Sequence, residues 1–109
     1  MSEWTEVADG VFQRRYDPFD VSVCVVRGEA GLLLVDTRSS HREARTVRDD
    51  LAAFGVPVRW VVNTHAHFDH TFGNAVFGGP PGEVPIYGHR LVPQHLAEHE
   101  AVMLAGWLR

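Results

Sequence analysis

Short β-branched runs separated by turn formers dominate the first third of the chain. Gly10 to Tyr16 is β-rich and stops at Asp17-Pro18, and Val21 to Val26 is bounded by turn formers on both sides; composition and punctuation together predict two strands. Arg27-Gly28-Glu29-Ala30-Gly31 reads as the turn of a hairpin. The run that follows, Leu32-Leu33-Leu34-Val35, is continuously apolar, as expected of a strand buried on both faces.

At Ser40 the period changes. Ser40-His41-Arg42-Glu43 has the form of a capping box, in which the serine hydroxyl accepts from the third amide onward and the glutamate reaches back. Ala44, Val47, Leu51 and Phe54 recur at three- and four-residue intervals, and Gly55 supplies a left-handed stop, so a helix with one apolar face is predicted between them. Val58 to Val62 is the next strand. Strand, helix and strand in this succession call for a parallel pair joined by a right-handed crossover, which makes the fold class α/β. Thr71 to Phe77 predicts a short helix in which Phe72 and Phe77 anchor the core. Residues 78–85 hold too much glycine and proline for regular structure. Ile86-Tyr87 then gives a short strand, Gly88-His89 a turn, and Leu91 to Trp107 a helix with Pro93 in its first turn and Leu96, Met103 and Trp107 on one face.

With 109 residues the chain is one domain at most, spanning 1–109. It is 45% hydrophobic and 22% charged with a formal charge of −4, a balance that gives no electrostatic reason to expect nucleic acid or an anionic membrane. All ten basic residues are arginine, and Arg42, Arg45 and Arg48 recur at the spacing of a solvated helix face rather than of a phosphate site. The N-terminus has no basic region followed by an apolar stretch, and no run is long enough to span a bilayer, so a cytoplasmic location is the default expectation. Cys24 has no internal partner and reads as a small buried apolar residue.

The predicted strand Val58 to Val62 runs directly into Asn63-Thr64-His65-Ala66-His67-Phe68-Asp69-His70. Three imidazoles and a carboxylate within six positions are the nitrogen and oxygen donors that suit a transition metal. In an extended or turning segment His65 and His67 point to the same side, while Asp69 and His70 follow as the chain bends away. The remaining histidines carry less. His41 falls in the solvent-facing first turn of its helix. His95 and His99 stand four apart, a separation able to share an ion, but Glu98 and Glu100 beside them mark an ordinary wet face.

The pattern His-x-His-x-Asp-His after an apolar strand, with Asn63-Thr64 before it and Gly73-Asn74 after it, resembles the signature of the metallo-β-lactamase superfamily of metal-dependent hydrolases. The resemblance implies the N-terminal half of an αββα sandwich, so that the domain is C-terminally incomplete and the inner face of its sheet lacks a partner. It further implies that His65 and His67 hold one metal and Asp69 and His70 a second, zinc first of all, one ion or two, with iron or manganese as alternatives. Asp36, at the end of its strand, is implied to orient a ligating group through a hydrogen bond without touching metal; a bland alternative makes it a turn or cap residue. His89 is similar in placement to a residue of family members that is no ligand there.

The chemistry implied is hydrolysis of a small-molecule substrate by a metal-activated water, since a bound ion lowers the pKa of water from about 15.7 to about 7. Asp69 is then the natural proton partner of that water. With histidine at position 70 the motif is more similar to general hydrolases and thioesterases of the glyoxalase II type than to those true β-lactamases that carry another residue there. Family members draw further ligands from downstream, a histidine for each metal and a bridging aspartate, and the chain ends before those positions. The rival expectation is a non-catalytic metal-binding or assembly module that pairs its sheet with another chain, as a homo-oligomer or with a separate C-terminal half.

Overall fold

Alternation of side chains along the strands sorts the residues into two faces, and the pairing register lines them up in rows. In the computed structural model, which describes residues 4–18, 20–65, 67–78 and 83–94, one sheet runs in sequence order through β1 (Thr5–Ala8), β2 (Val11–Tyr16), β3 (Val21–Arg27), β4 (Leu32–Val35), β5 (Val58–Val62) and β6 (Ile86–Tyr87). The first four strands form an antiparallel meander; β4, β5 and β6 are mutually parallel. Parallel neighbours need a crossover, and α1 (His41–Leu51) provides the one between β4 and β5.

One row of cross-strand partners, Phe12, Val25, Leu34, Val61 and Ile86, spans five strands. It faces the helices. Val25, Leu34 and Val61 are fully buried there, together with Val23, Leu32, Ala44 and Val47. The neighbouring row, Val11, Val26, Leu33 and Trp60, points the other way, and Val26 and Trp60 retain 40% and 37% of their surface. The expectation of a β4 strand buried on both faces is therefore met on one. Leu32 and Leu34 are sealed, whereas Leu33 and Val35 are half-buried, because among the described residues no layer covers their side of the sheet.

Helix α1 forms where the capping pattern places it. Ser40 Oγ accepts the Glu43 N–H at 3.1 Å, and Ala44, Val47 and Leu51 are the buried stripe. The glutamate reaches back one residue further than a simple capping box requires, to the Ser39 N–H at 3.2 Å and to the Ser39 hydroxyl. A 3-10 turn over Ala52–Phe54 ends at Gly55 with φ 74°, a left-handed conformation that costs glycine little. Trp4, buried, donates its indole N–H to the Asp50 carbonyl at 3.2 Å and packs edge-on against Phe54. That contact ties down β1, a strand the sequence pattern does not announce because all four of its residues are exposed.

The loop between β4 and α1 is buried and polar. Asp36 and Arg38 both take left-handed φ of 70°, a conformation that costs a non-glycine residue of order 1–3 kcal/mol and persists only where its surroundings fix it. Arg38 is fixed by stacking its guanidinium 4.2 Å above the Tyr16 ring, by donating to the Asp17 carbonyl at 2.8 Å, and by pairing with Glu43. Tyr16 donates its hydroxyl to Asp50 at 2.7 Å; burial, then that bond, raises its pKa well above the ordinary phenol.

Beyond β5 the expected helix from Thr71 to Phe77 is two short helices, α2 (Phe68–Thr71) and α3 (Asn74–Gly78). Gly73 lies between them so close to the β4–α1 loop that a Cβ on it would stand 2.1 Å from the Thr37 carbonyl oxygen and 2.5 Å from the Ala44 side chain. Phe77 is buried as expected, while Phe72 is half-buried and packs its ring 5.9 Å from that of Phe68. The exposed loop expected over 78–85 falls within the described residues only at its ends. The helix expected from Leu91 to Trp107 lies outside them except for a turn at 92–94. Among the described residues no helix is long and apolar enough to cross a membrane.

Candidate metal centre

The motif begins where β5 leaves the sheet. Asn63 still donates its N–H to the Tyr87 carbonyl at 2.8 Å; the chain then turns through Thr64 and His65 and enters α2 with His67 at its N-terminal boundary. Since α2 already contains Asp69 and His70, a single helical turn folds both back towards His65. The result is a cluster in which His65, Asp69 and His70 each offer a donor atom, all within 4.8 Å of one another and all half-buried. His67 is exposed and stands beside this trio, its ring centroid 4.6 Å from that of His65; the His65 and His70 rings are 4.2 Å apart. The site opens at the carboxyl ends of parallel strands, the edge where α/β sheets form ligand crevices.

Asp36 lies beneath the cluster with 2% of its surface exposed. Its Oδ1 accepts the Thr64 N–H at 2.8 Å. Its Oδ2 accepts the Thr64 hydroxyl at 2.8 Å and faces Nδ1 of His70 at 2.7 Å. A carboxylate there can only accept, so Nδ1 of His70 carries a proton, and Nε2 faces an Asp69 carboxylate oxygen at 3.6 Å.

His70 is held by its backbone as well. At the C-terminal end of so short a helix its carbonyl has no intrahelical partner, and it is turned instead towards the Thr37 N–H at 3.0 Å and the Asn63 side-chain amide at 3.3 Å. Asn63 and Asn74 exchange amide hydrogen bonds at 2.7 and 3.1 Å, and the Thr37 hydroxyl donates to Asn74 at 2.8 Å. Asn63 and Thr37 are buried with their side chains and N–H groups hydrogen-bonded, so the network is rigid rather than costly. Sequence inspection quotes Asn63 and Asn74 only as neighbours of the motif and misses Thr37; nothing in their spacing shows that residues 37, 63 and 74 converge.

The pKa of His65 is lowered, first by burial and then by repulsion from His70 and His67. Two imidazoles and one carboxylate form a nitrogen and oxygen donor set that could hold a divalent metal ion. Along the same edge, a cleft of about 370 Å³ is lined by Asn63, Asn74, Tyr87, His89 and Arg90 among others. His89 itself is exposed and accepts the Leu91 N–H at 3.1 Å, away from the trio. His41 is exposed at the start of α1, and His95 and His99 lie outside the described residues.

Comparison with known proteins gives one answer at three levels. The model of the metallo-beta-lactamase superfamily matches residues 16–106. A Bacillus subtilis (strain 168) protein named "Probable metallo-hydrolase YqjP" is 34% identical over 88 residues, covering 77% of this chain and 26% of its own. Metallo-β-lactamase structures from Hirschia baltica and Erythrobacter litoralis superpose with TM-scores of 0.72 and 0.71 at 18% and 24% identity, each over 90% of this chain and over 48% and 45% of theirs. FIM-1 from Pseudomonas aeruginosa, solved in a mono-zinc form, aligns with a TM-score of 0.63 at 22% identity, over 84% of this chain and 45% of its own. The chain thus spans about a quarter of the curated relative and under half of each solved one. In these folds it matches a mixed sheet with helices on one face, as the resemblance implies.

Proposed function

The chain belongs to the metallo-beta-lactamase superfamily, and from that premise we propose that it carries the metal-binding part of a hydrolase for a small-molecule substrate. The observation that supports this most directly is the convergence of His65, Asp69 and His70 to within 4.8 Å at the carboxyl edge of the sheet. His65 and His67 would hold one ion and Asp69 and His70 a second, zinc before iron or manganese on the chemistry of nitrogen and carboxylate donors. A bound ion supplies Lewis acidity and an acidified water.

The protein's own residues do the rest. Asp69, at the mouth of the cluster, accepts the proton that leaves the attacking water. Asp36 holds His70 in the tautomer that ligates. Asn63 and Thr37 fix the backbone that carries His70, and the cleft edged by Tyr87, His89 and Arg90 receives the substrate. Every ligand here comes from the segment that follows β5, so a full two-metal site needs further donors, which a second structural half packed on the exposed row that includes Val26 and Trp60 would supply.

Metal analysis and turnover test the proposal together. Zinc uptake should disappear in the double variant His65→Ala with His67→Ala and survive His95→Ala with His99→Ala. Hydrolysis of thioester, phosphoester or lactam probes should be weak for the chain alone and rise when a complementary half is supplied. Retention of zinc by the first double variant, with loss in the second, would place the site elsewhere.

The exposed sheet row also supports a second reading, a non-catalytic module that pairs with another chain through that face. A stable, metal-loaded dimer that hydrolyses none of the probes would favour it.

A further inference from the structure

One buried carboxylate stands under two imidazoles but touches only one. His70 meets Asp36 directly. His65 does not; its Nδ1 lies 2.8 Å from the hydroxyl of Thr64, and that hydroxyl lies 2.8 Å from Asp36 Oδ2. We propose that Thr64 is a positioning residue that relays the Asp36 carboxylate to His65, so that a single aspartate sets the tautomer of both histidines.

The argument is one of counting protons. A threonine hydroxyl has one hydrogen and two lone pairs. The carboxylate can only accept, so the hydroxyl hydrogen goes to Asp36, and towards His65 the oxygen has nothing to offer but a lone pair. His65 must therefore be the donor, with its hydrogen on Nδ1, and Nε2 is left as the bare nitrogen on the far side of the ring. The same logic acts on His70 without an intermediary, at 2.7 Å.

Both rings then present Nε2 to the space they share with Asp69. Thr64 is well placed for the relay because its own N–H is bound to Asp36 Oδ1 at 2.8 Å; the two-point attachment fixes the threonine on the carboxylate before any ligand arrives. Thr64 touches neither the space between the donors nor the cleft, so it acts only through His65. The purpose of the relay rests on the metal-site reading; its geometry does not.

The test uses the full chain, 15N-labelled and metal-free, at about pH 8, above the ordinary histidine range. Long-range proton–nitrogen spectra should show His65 and His70 both protonated at Nδ1. In Thr64→Val, which keeps the shape and removes the hydroxyl, His65 should become a tautomer mixture while His70 stays as it was; Thr64→Ser should restore the original pattern. Thr64→Ala gives the same comparison should valine not be accommodated.

Cobalt(II) titration provides the second readout. Affinity should fall about tenfold in Thr64→Val, the lower end for partners that orient a ligand, and recover in Thr64→Ser. The relay is overturned if His65 keeps its Nδ1 proton in Thr64→Val, if His65 and His70 shift together, or if cobalt affinity does not change. A wild-type chain that takes up no cobalt would instead sink the metal-site reading, and the tautomer spectra would still decide the relay.

Discussion

The two faces of the sheet are built from the same strands and differ in what they touch. On one, Phe12, Val25, Leu34, Val61 and Ile86 form a row against α1 and α3, with the three central side chains fully buried. On the other, Val11, Val26, Leu33 and Trp60 form a row of equal apolar character with two members more than a third exposed. Stability is therefore lodged on the helix side, where burying each large aliphatic side chain is worth about 1.5–3 kcal/mol. The open face leaves apolar side chains uncovered among the described residues, and the candidate metal cluster sits on the rim between the two.

The comparison breaks most visibly at Leu34. Truncating it to alanine removes a fully buried side chain from the centre of the row, and Leu34→Ala should cost about 3–4 kcal/mol of stability, read by denaturant unfolding. The rim gives the next largest effect. Gly73→Ala forces a Cβ into the Thr37 carbonyl at 2.1 Å, backbone that cannot step aside, and should cost about 3 kcal/mol, the upper end for overpacking. It should also weaken metal uptake, since Thr37 holds the His70 carbonyl. A Gly73→Ala chain with wild-type melting and wild-type zinc affinity would mean that the contact between the α2–α3 junction and the β4–α1 loop plays no part in the site.

Asp36 separates the rim from the core more sharply. Asp36→Asn preserves shape but replaces one accepting oxygen by a donor, so it cannot receive from His70 and from Thr64 at both oxygens. Zinc affinity should fall 10–100-fold, about 1.4–2.7 kcal/mol, while the chain stays folded. Isothermal titration on the folded variant reads it. An unchanged affinity would reduce Asp36 to a turn residue held in a left-handed conformation for structural reasons alone.

Periodicity is legible wherever a residue's partners are near in sequence or repeat regularly. That covers the hairpin, the helix from the Ser40 cap to Gly55, and the strand that delivers the motif. It fails where the cause is distant. The break between α2 and α3 is imposed by a carbonyl at position 37, and the Asn63–Asn74 pair meets only because β5 and α3 converge. The motif shows its donors, but their grouping depends on where α2 begins. A helix starting after Thr71 would leave Asp69 and His70 in extended chain; one starting at Phe68 turns them towards His65 and leaves His67 outside the trio. β1 escapes notice because its side chains are exposed and its anchor, Trp4, precedes it.

The smallest expected effect on stability is also the one that best defines the open face. Trp60 lies on the row opposite the helices, paired with Leu33 and 37% exposed, so Trp60→Ser removes apolar surface that the isolated chain does not fully bury. Unfolding should change by less than about 1 kcal/mol, as for surface positions away from caps and cores. Association should change far more, because uncovered apolar side chains favour contact with other chains. Sedimentation velocity across a concentration series should show the wild-type chain shifting to larger species while Trp60→Ser stays monomeric, with zinc affinity equal in both because the tryptophan is remote from the trio in the strand. A Trp60→Ser chain that loses several kcal/mol would show that this face is packed rather than open. One that associates as readily as wild type would put the contact elsewhere, and the asymmetry between the two faces would then have no bearing on assembly.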